Sequence, residues 1–200
     1  MKADKIILVG CGGHARSVAD VLLSDNPSAE IIFVDVNAGD GEKIFGFPVL
    51  KKMPAAAARV HCAVGDNLKR KAVWRKTNMS VISKDAYISP SAKVGRGVFI
   101  GRGAHIGPLA EIGDGCIINT SCVIEHSARV GNFCHVSVGT IICGRVELGD
   151  NVFAGAGSVV KDAVRICSNV TVGAGAAAVK NIAAAGVYTG VPAVKRGGNK

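Results

Sequence analysis

Aromatic side chains are scarce in this chain. One Trp, two Tyr and six Phe make up 4% of its 200 residues, too few for the stacking platforms on which single-stranded nucleic acid is held, and no Lys/Arg run accompanies them. Long apolar runs are missing as well. No stretch approaches the roughly 18 apolar residues that a membrane span needs. Lys2, Asp4 and Lys5 interrupt the start, where a signal peptide would carry its apolar run, so a cytoplasmic location is expected. The seven cysteines are an odd set without a C-x-x-C pair, which argues against a disulfide framework and against a zinc site; no metal is expected. Acidic residues are outnumbered, 15 against 24 basic ones, for a net charge of +9. That excess favours acidic partners, and polyanionic small molecules suit it as well as nucleic acid does.

What the chain has in abundance is glycine, 26 residues, within a hydrophobic share of 48% that marks a compact globular protein. From Ile82 a branched aliphatic returns every sixth position. Ile82, Ile88, Val94, Ile100, Ile106 and Ile112 open a series that runs in phase to Ile166 and Val172, with Ala154 as the single unbranched member. Four places after each leader stands a small or β-branched residue, among them Cys116, Cys122, Cys134, Thr140 and Ser158. A helix would repeat at about 3.6 and a plain strand at about 2, so a strict six describes short strands joined by tight turns, the pattern of a solenoid. The leaders are expected to point inward and the small residues to fill the gaps, which makes the three cysteines reduced filler. Glycine follows the leader at Gly95, Gly101, Gly107, Gly113, Gly131, Gly149, Gly155 and Gly173, where it is expected to ease the backbone round a corner.

Ahead of the repeat, the apolar run Lys5–Val9 ends in Gly10-Cys11-Gly12-Gly13-His14-Ala15. A helix follows, with Val18, Ala19, Leu22 and Leu23 at helical spacing. A second strand, Glu30–Val34, ends at Asp35. A third, Arg59–Val64, ends at Gly65-Asp66-Asn67, and Asn67 is expected to cap a helix reaching Trp74 and Lys76. Residues 1–77 thus read as a small three-layer, Rossmann-like βαβαβ domain, and residues 78–200 as the solenoid with its tail. Gly10-x-Gly12-x-x-Ala15 matches the dinucleotide fingerprint, with Asp35 near the expected distance for a ribose contact. Such glycines let backbone amides approach phosphate at a helix N-terminus. The domain holds only half of a dinucleotide fold, so a mononucleotide or a nucleotide sugar is expected in preference to NAD. A turn that merely packs a helix on a sheet is the other reading.

Taken together, Gly12-Gly13-His14, Phe33-Val34-Asp35, the Ala63–Asn67 turn with Arg70, Ile118–His126, His135–Gly139 and Gly190-Val191-Pro192-Ala193 resemble the bacterial sugar acyltransferases. That family includes the sialic acid O-acetyltransferases and the UDP-4-amino-sugar N-acetyltransferases. The resemblance covers nearly the whole chain and implies a left-handed parallel β-helix with three hexads per coil. Sixteen hexads then give a little over five coils, a prism about 25 Å tall. It also implies a homotrimer with active sites between subunits, acetyl-CoA as co-substrate and direct transfer to the amino group of a nucleotide-linked sugar. The sugar would be a 4-amino-4,6-dideoxy sugar on UDP, dTDP or GDP, used for surface glycans. Sugar O-acetylation is the alternative, and a non-catalytic scaffold a third.

Histidine titrates near neutral pH, which suits a base that takes a proton as an amine or hydroxyl attacks a thioester. The resemblance makes His126 that base, with Glu125 beside it, and gives the Gly144 amide the role of oxyanion donor. The family often has an acid directly after the base; this chain has Ser127 there. His135 matches a contact of the thioester arm, and Ala156, Gly173 and Ala174 match amides lining the pantetheine groove. Gly10, Gly12, Gly13, His14, Asp35, Gly65 and Asn119 are assigned to the sugar nucleotide. His61 and His105 are read as structural, and the inward Cys134 is rejected as a nucleophile.

Overall fold

The computed structural model describes residues 5–54 and 59–196; Lys2 and Asp4 lie outside the described residues. The N-terminal part is a five-stranded sheet. β1 (Lys5–Val9) lies at its centre, paired in parallel with β2 (Glu30–Val34) on one side and with β5 (Arg59–Cys62) on the other. Two further strands, β3 (Lys43–Ile44) and β4 (Phe47–Leu50), form an antiparallel hairpin that extends the sheet beyond β2 to the order β3-β4-β2-β1-β5. The expected three-strand unit is therefore corrected to five. The hairpin turns at Phe45 and Gly46, both with positive φ (51° and 81°), as a two-residue turn between twisted strands requires.

α1 (Gly13–Asp25) buries Ala15, Val18, Ala19 and Val21. These side chains share one core with Ile6, Leu8 and Phe33 of the sheet and with Val81, Phe99 and Ile117 of the solenoid. Because α1 is covered on two sides, its apolar arc is wider than a single stripe, and Val21 goes inside while Leu22 and Leu23 are only partly covered. The layers are sheet, helix and solenoid wall. α2 (Asn67–Val73) is followed by a 3-10 turn at Trp74–Lys76. Its N-cap is Asp66, whose carboxylate accepts from the Lys69 amide at 2.8 Å, and not Asn67. The Asn67 side chain is occupied elsewhere: its Nδ2 donates to the Val152 carbonyl of the solenoid.

From Val81 to Ala178 the chain is a parallel β-solenoid of two- and three-residue strands. Ile117 pairs with His135, and His135 with Phe153, a step of 18 residues or three hexads. The three walls hold six, five and eight strands, the last including the tail strands Gly186–Thr189 and Val194–Lys195. Leaders from Ile100 onward are buried, including Ala154 at 1%. The first, Ile82, is 41% exposed and breaks the expectation, since no coil lies beyond it and its neighbour Val81 turns toward α1. The small position carries its own polar logic. Cys116, Cys122, Cys134 and Thr140 are fully buried, and their Sγ or Oγ1 donates to the carbonyls of Gly131, Ser137, Gly149 and Gly155.

The glycines after the leaders serve close approach between coils and not a special φ. A Cβ on Gly101 would lie 2.8 Å from the Thr120 amide nitrogen, and one on Gly107 2.9 Å from that of His126. The left-handed residue falls two places later and recurs every six, at Gly97, Gly103, Leu109, Gly115, Ser121, Ser127 and onward.

The walls differ in what they present. The eight-stranded wall is roofed by α1 in its upper coils. The five-stranded wall displays Lys93, Glu111, Arg129, Glu147 and Arg165 in register, an alternating ladder with ion pairs of 3.2 to 3.8 Å. The six-stranded wall displays Tyr87, His105, Val123, Ile141, Val159 and Ala177. His105 is stacked on Tyr87 at 5.1 Å between centroids.

Candidate active site

The residues singled out in the sequence fall into three places. At the first, the turn after Val123–Ile124 holds Glu125, His126 and Ser127. Ser127 is the left-handed corner residue (φ 59°), so strand alternation does not govern these side chains. The Glu125 carboxylate accepts the amide of His126 at 3.2 Å. One coil on stands Gly144, two coils on Asp162. A Cβ on Gly144 would sit 2.5 Å from His126 Nε2 and 3.1 Å from Asp162 Oδ2, so the absence of a side chain at Gly144 makes the seat for the imidazole. Asp162 is held by Arg145 at 2.6 Å, and the two carboxylates, Asp162 and Glu125, push up the half-buried Cys143 thiol after burial itself. The sequence reading missed Asp162 and Cys143; the period of 18 would have found the 126–144–162 column.

The second place is the opposite edge of the six-stranded wall. Asn119, Ala156, Gly173 and Ala174 line this corner, and Cβ atoms on its left-handed glycines, Gly139, Gly157 and Gly175, would meet nothing within 4 Å. Within one chain the wall's width separates these residues from His126.

The third place lies where the α/β part meets the solenoid. Gly10 (φ 111°) is packed under the Ala63 carbonyl, 3.0 Å from where its Cβ would be, whereas Gly12 and Gly13 face open space. The first-turn amides of α1 point out beside them. Asp35, at the end of β2, accepts its own loop's Asn37 amide at 2.9 Å and faces Cys11, whose thiol is raised by burial and by that carboxylate. Gly65, His14, His135 and Asn119 converge. His135 Nδ1 is 3.1 Å from the Gly65 carbonyl and its Nε2 3.4 Å from Asn119 Nδ2; the His14 ring lies 6.1 Å away. Burial, then the Arg70 charge, pushes His135 down to about 4, against the Gly65 bond that raises it. His14 is lowered well below the usual histidine value, first by burial. Beside this cluster a groove of about 610 Å³ is lined by Gly65, Asp66, Asn67, His135 and Phe153, among others. His61 is buried on the Met79 carbonyl and falls to about 4 through desolvation, which fits its structural reading.

Residues 5–77 match a family described as the PglD N-terminal domain, and residues 81–185, more than half of the chain, match the GMPPB C-terminal domain. Among solved structures, PerB from Caulobacter crescentus, in complex with CoA and GDP-perosamine, is 31% identical over 96% of this chain and 97% of its own, with a TM-score of 0.86. The chain belongs to the hexapeptide-repeat sugar acyltransferases. Within that family it is also similar to the acetyltransferase domain of PglB from Neisseria gonorrhoeae, in complex with acetyl coenzyme A. There the identity is 27%, covering 97% of this chain and 100% of that one, with a TM-score of 0.89. Uncharacterized protein L142 of Acanthamoeba polyphaga mimivirus is 33% identical over 104 residues, and the chain spans only 21% of its length. Among the described residues no helix is long and apolar enough to cross a membrane.

Proposed function

We propose that the chain is an acetyl-CoA-dependent N-acetyltransferase acting on the amino group of a nucleotide-linked amino sugar. The carrying observation is the exposed His126 imidazole seated over Gly144, with Nε2 2.5 Å from where a Cβ would be, in a chain whose relatives bind acetyl coenzyme A or GDP-perosamine. In this reading the sugar amine attacks the thioester carbonyl carbon while His126 Nε2 takes the ammonium proton. The Gly144 amide donates to the oxygen as its charge develops. The C–S bond then breaks and the thiolate takes the proton back from the imidazolium. Glu125 and Asp162 are the carboxylates beside the ring.

The work is shared between the α/β part and the solenoid, Asn119 being the one solenoid residue on the sugar side. Gly10, Gly12, Gly13, His14, Asp35, Gly65 and Asn119 hold the nucleotide sugar, a 4-amino-4,6-dideoxy sugar on UDP, dTDP or GDP. His135, Ala156, Gly173 and Ala174 hold the co-substrate. A Cβ at Gly13 meets nothing within 4 Å, so a side chain there starts out into open space, and Gly13→Trp is expected to raise the sugar KM without weakening acetyl-CoA. The assembly is a homotrimer, supported by the unpartnered apolar wall. A second copy seated on it would bring its co-substrate corner to the His126 edge and complete each site. The mass of three chains is expected in light scattering at micromolar concentration, and a monomer would contradict the shared site.

The direct test is incubation with acetyl-CoA and a panel of nucleotide-linked amino sugars, reading thiol release and product mass. An amide product on one of them is expected. Acetyl transfer only to hydroxyls would move the assignment to sugar O-acetylation.

A further inference from the structure

Arg70 is 1% exposed and is hydrogen-bonded to no carboxylate among the described residues. Its Nε donates to the Gly115 carbonyl at 2.7 Å, Nη1 to the carbonyls of Val64 and Gly65 at 3.1 Å each, and Nη2 to Asn67 Oδ1 at 2.8 Å and to the carbonyls of Phe133 and Cys134 at 2.9 and 3.2 Å. A buried guanidinium with no carboxylate hydrogen-bonded to it is tolerable when its donors are matched in this way, the Asp66 carboxylate acting on it through its charge alone. The acceptors come from both halves of the chain, so the side chain fixes the Val64–Asn67 turn against the solenoid.

One of those acceptors does a second thing. The Gly65 carbonyl is also 3.1 Å from His135 Nδ1. A carbonyl can only accept, so Nδ1 carries the hydrogen and Nε2 the lone pair. The far side of the ring agrees. The Thr120 amide donates to Asn119 Oδ1 at 2.8 Å, which turns the Asn119 amide group toward His135 Nε2 at 3.4 Å. The tautomer follows from two independent constraints, an acceptor at one end of the chain Gly65, His135, Asn119, Thr120, the Gly65 carbonyl, and a donor at the other, the Thr120 amide.

We propose that Arg70 is a positioning residue for the transfer reaction. It pins the Gly65 carbonyl that locks His135 as a neutral, Nδ1-protonated ring, so that His135 serves as a fixed acceptor and not as a proton carrier. The groups facing the ring are consistent. Arg70 approaches from α2, His14 from α1 and the edge of Phe153 from the wall. No carboxylate hydrogen-bonds the ring among the described residues; Asp66 lines the same groove as His135 and is the acidic side chain there. Burial and the Arg70 charge both act against protonation of the ring.

The test is nitrogen-resolved NMR of the His135 ring in the full chain, from about pH 5 to about pH 8 across the ordinary histidine range, joined to acetyl-CoA kinetics. The wild-type ring should carry its hydrogen on Nδ1 and show no titration in that interval. Arg70→Met removes the charge and the bonds at similar volume. It should let the ring protonate within the interval and raise the acetyl-CoA KM at its acid end, with kcat at the alkaline end held within about threefold. Arg70→Lys keeps the charge and should leave the ring closer to wild type than Arg70→Met does. A wild-type ring protonated on Nε2, one titrating near 6.5 as a free histidine does, or an Arg70→Met ring that titrates as the wild type does would each overturn the proposal. If Arg70→Met does not fold, the wild-type tautomer and Arg70→Lys decide. The kinetic arm rests on the assignment of His135 to the thioester arm, and the spectroscopic arm does not. An unchanged KM with the expected spectra would therefore reject that assignment and spare the lock.

Discussion

The chain places its histidines in two opposite settings. His126 stands exposed on a corner, with Nε2 over a glycine and no protein donor or acceptor on either ring nitrogen among the described residues. His135 is seated between a carbonyl and an amide, one on each nitrogen, and burial takes it down to about 4. The same residue type is thus open to solvent in one place and closed over in the other. What decides is the backbone around it: an 18-residue column that leaves Gly144 without a side chain, against a domain junction that closes over the ring.

The strongest way to break the contrast is to remove the free ring. A positioned general base contributes about 10²- to 10⁴-fold, and His126→Ala is expected to lower kcat by that much with both substrates still bound, as single-turnover and binding measurements will show. Gly144→Ala attacks the same corner without touching the imidazole. Its methyl would sit 2.5 Å from Nε2, so the ring must leave its seat, and kcat should fall about 10²-fold, within the cost of one oxyanion-hole or base displacement. His135→Ala removes the fixed ring instead; the acetyl-CoA KM should rise by about tenfold while kcat changes less, the signature of a lost binding contact.

The smallest effect sharpens the comparison through stability. His135 and His61 have folded-state values of about 4 against 6.5 for the free group. Above 6.5 both states are neutral and nothing is lost. As pH falls from 6.5 toward 4 the unfolded chain binds protons that the folded one refuses, and stability declines. Urea midpoints measured across this interval should fall with pH, and His61→Gln should make the fall shallower. A midpoint independent of pH in that range would contradict the buried neutral assignment.

Much of this was legible beforehand for one reason: the six-residue period is a direct image of the coil, so leaders, small positions and the inward Cys134 could be placed from spacing. The Gly-rich turn and Asp35 were legible as strand ends because a continuous apolar run stops at each. The β3–β4 hairpin was hidden by its shortness and by Pro48, which cannot donate to a ladder and so argues against a strand, although β4 lies between β3 and β2. The role of Arg70 was invisible because five of its six acceptors are main-chain carbonyls, which no sequence pattern marks. Asp66 took the cap from Asn67 because Asn67 was drawn into the domain junction. Asp162 was missed for lack of counting from His126 in steps of one coil.

The division of roles between the two histidines, with only one of them expected to move a proton, is open to a single experiment. Its most direct test is the pH dependence of kcat/KM on a single amino-sugar substrate for the wild type, His126→Ala and His135→Ala. The substrate's own ionisation is common to all three and cancels in the comparison. The expected result is a rise with pH that His126→Ala abolishes and His135→Ala retains at a lower level. A histidine limb that survives in His126→Ala and disappears in His135→Ala would contradict it.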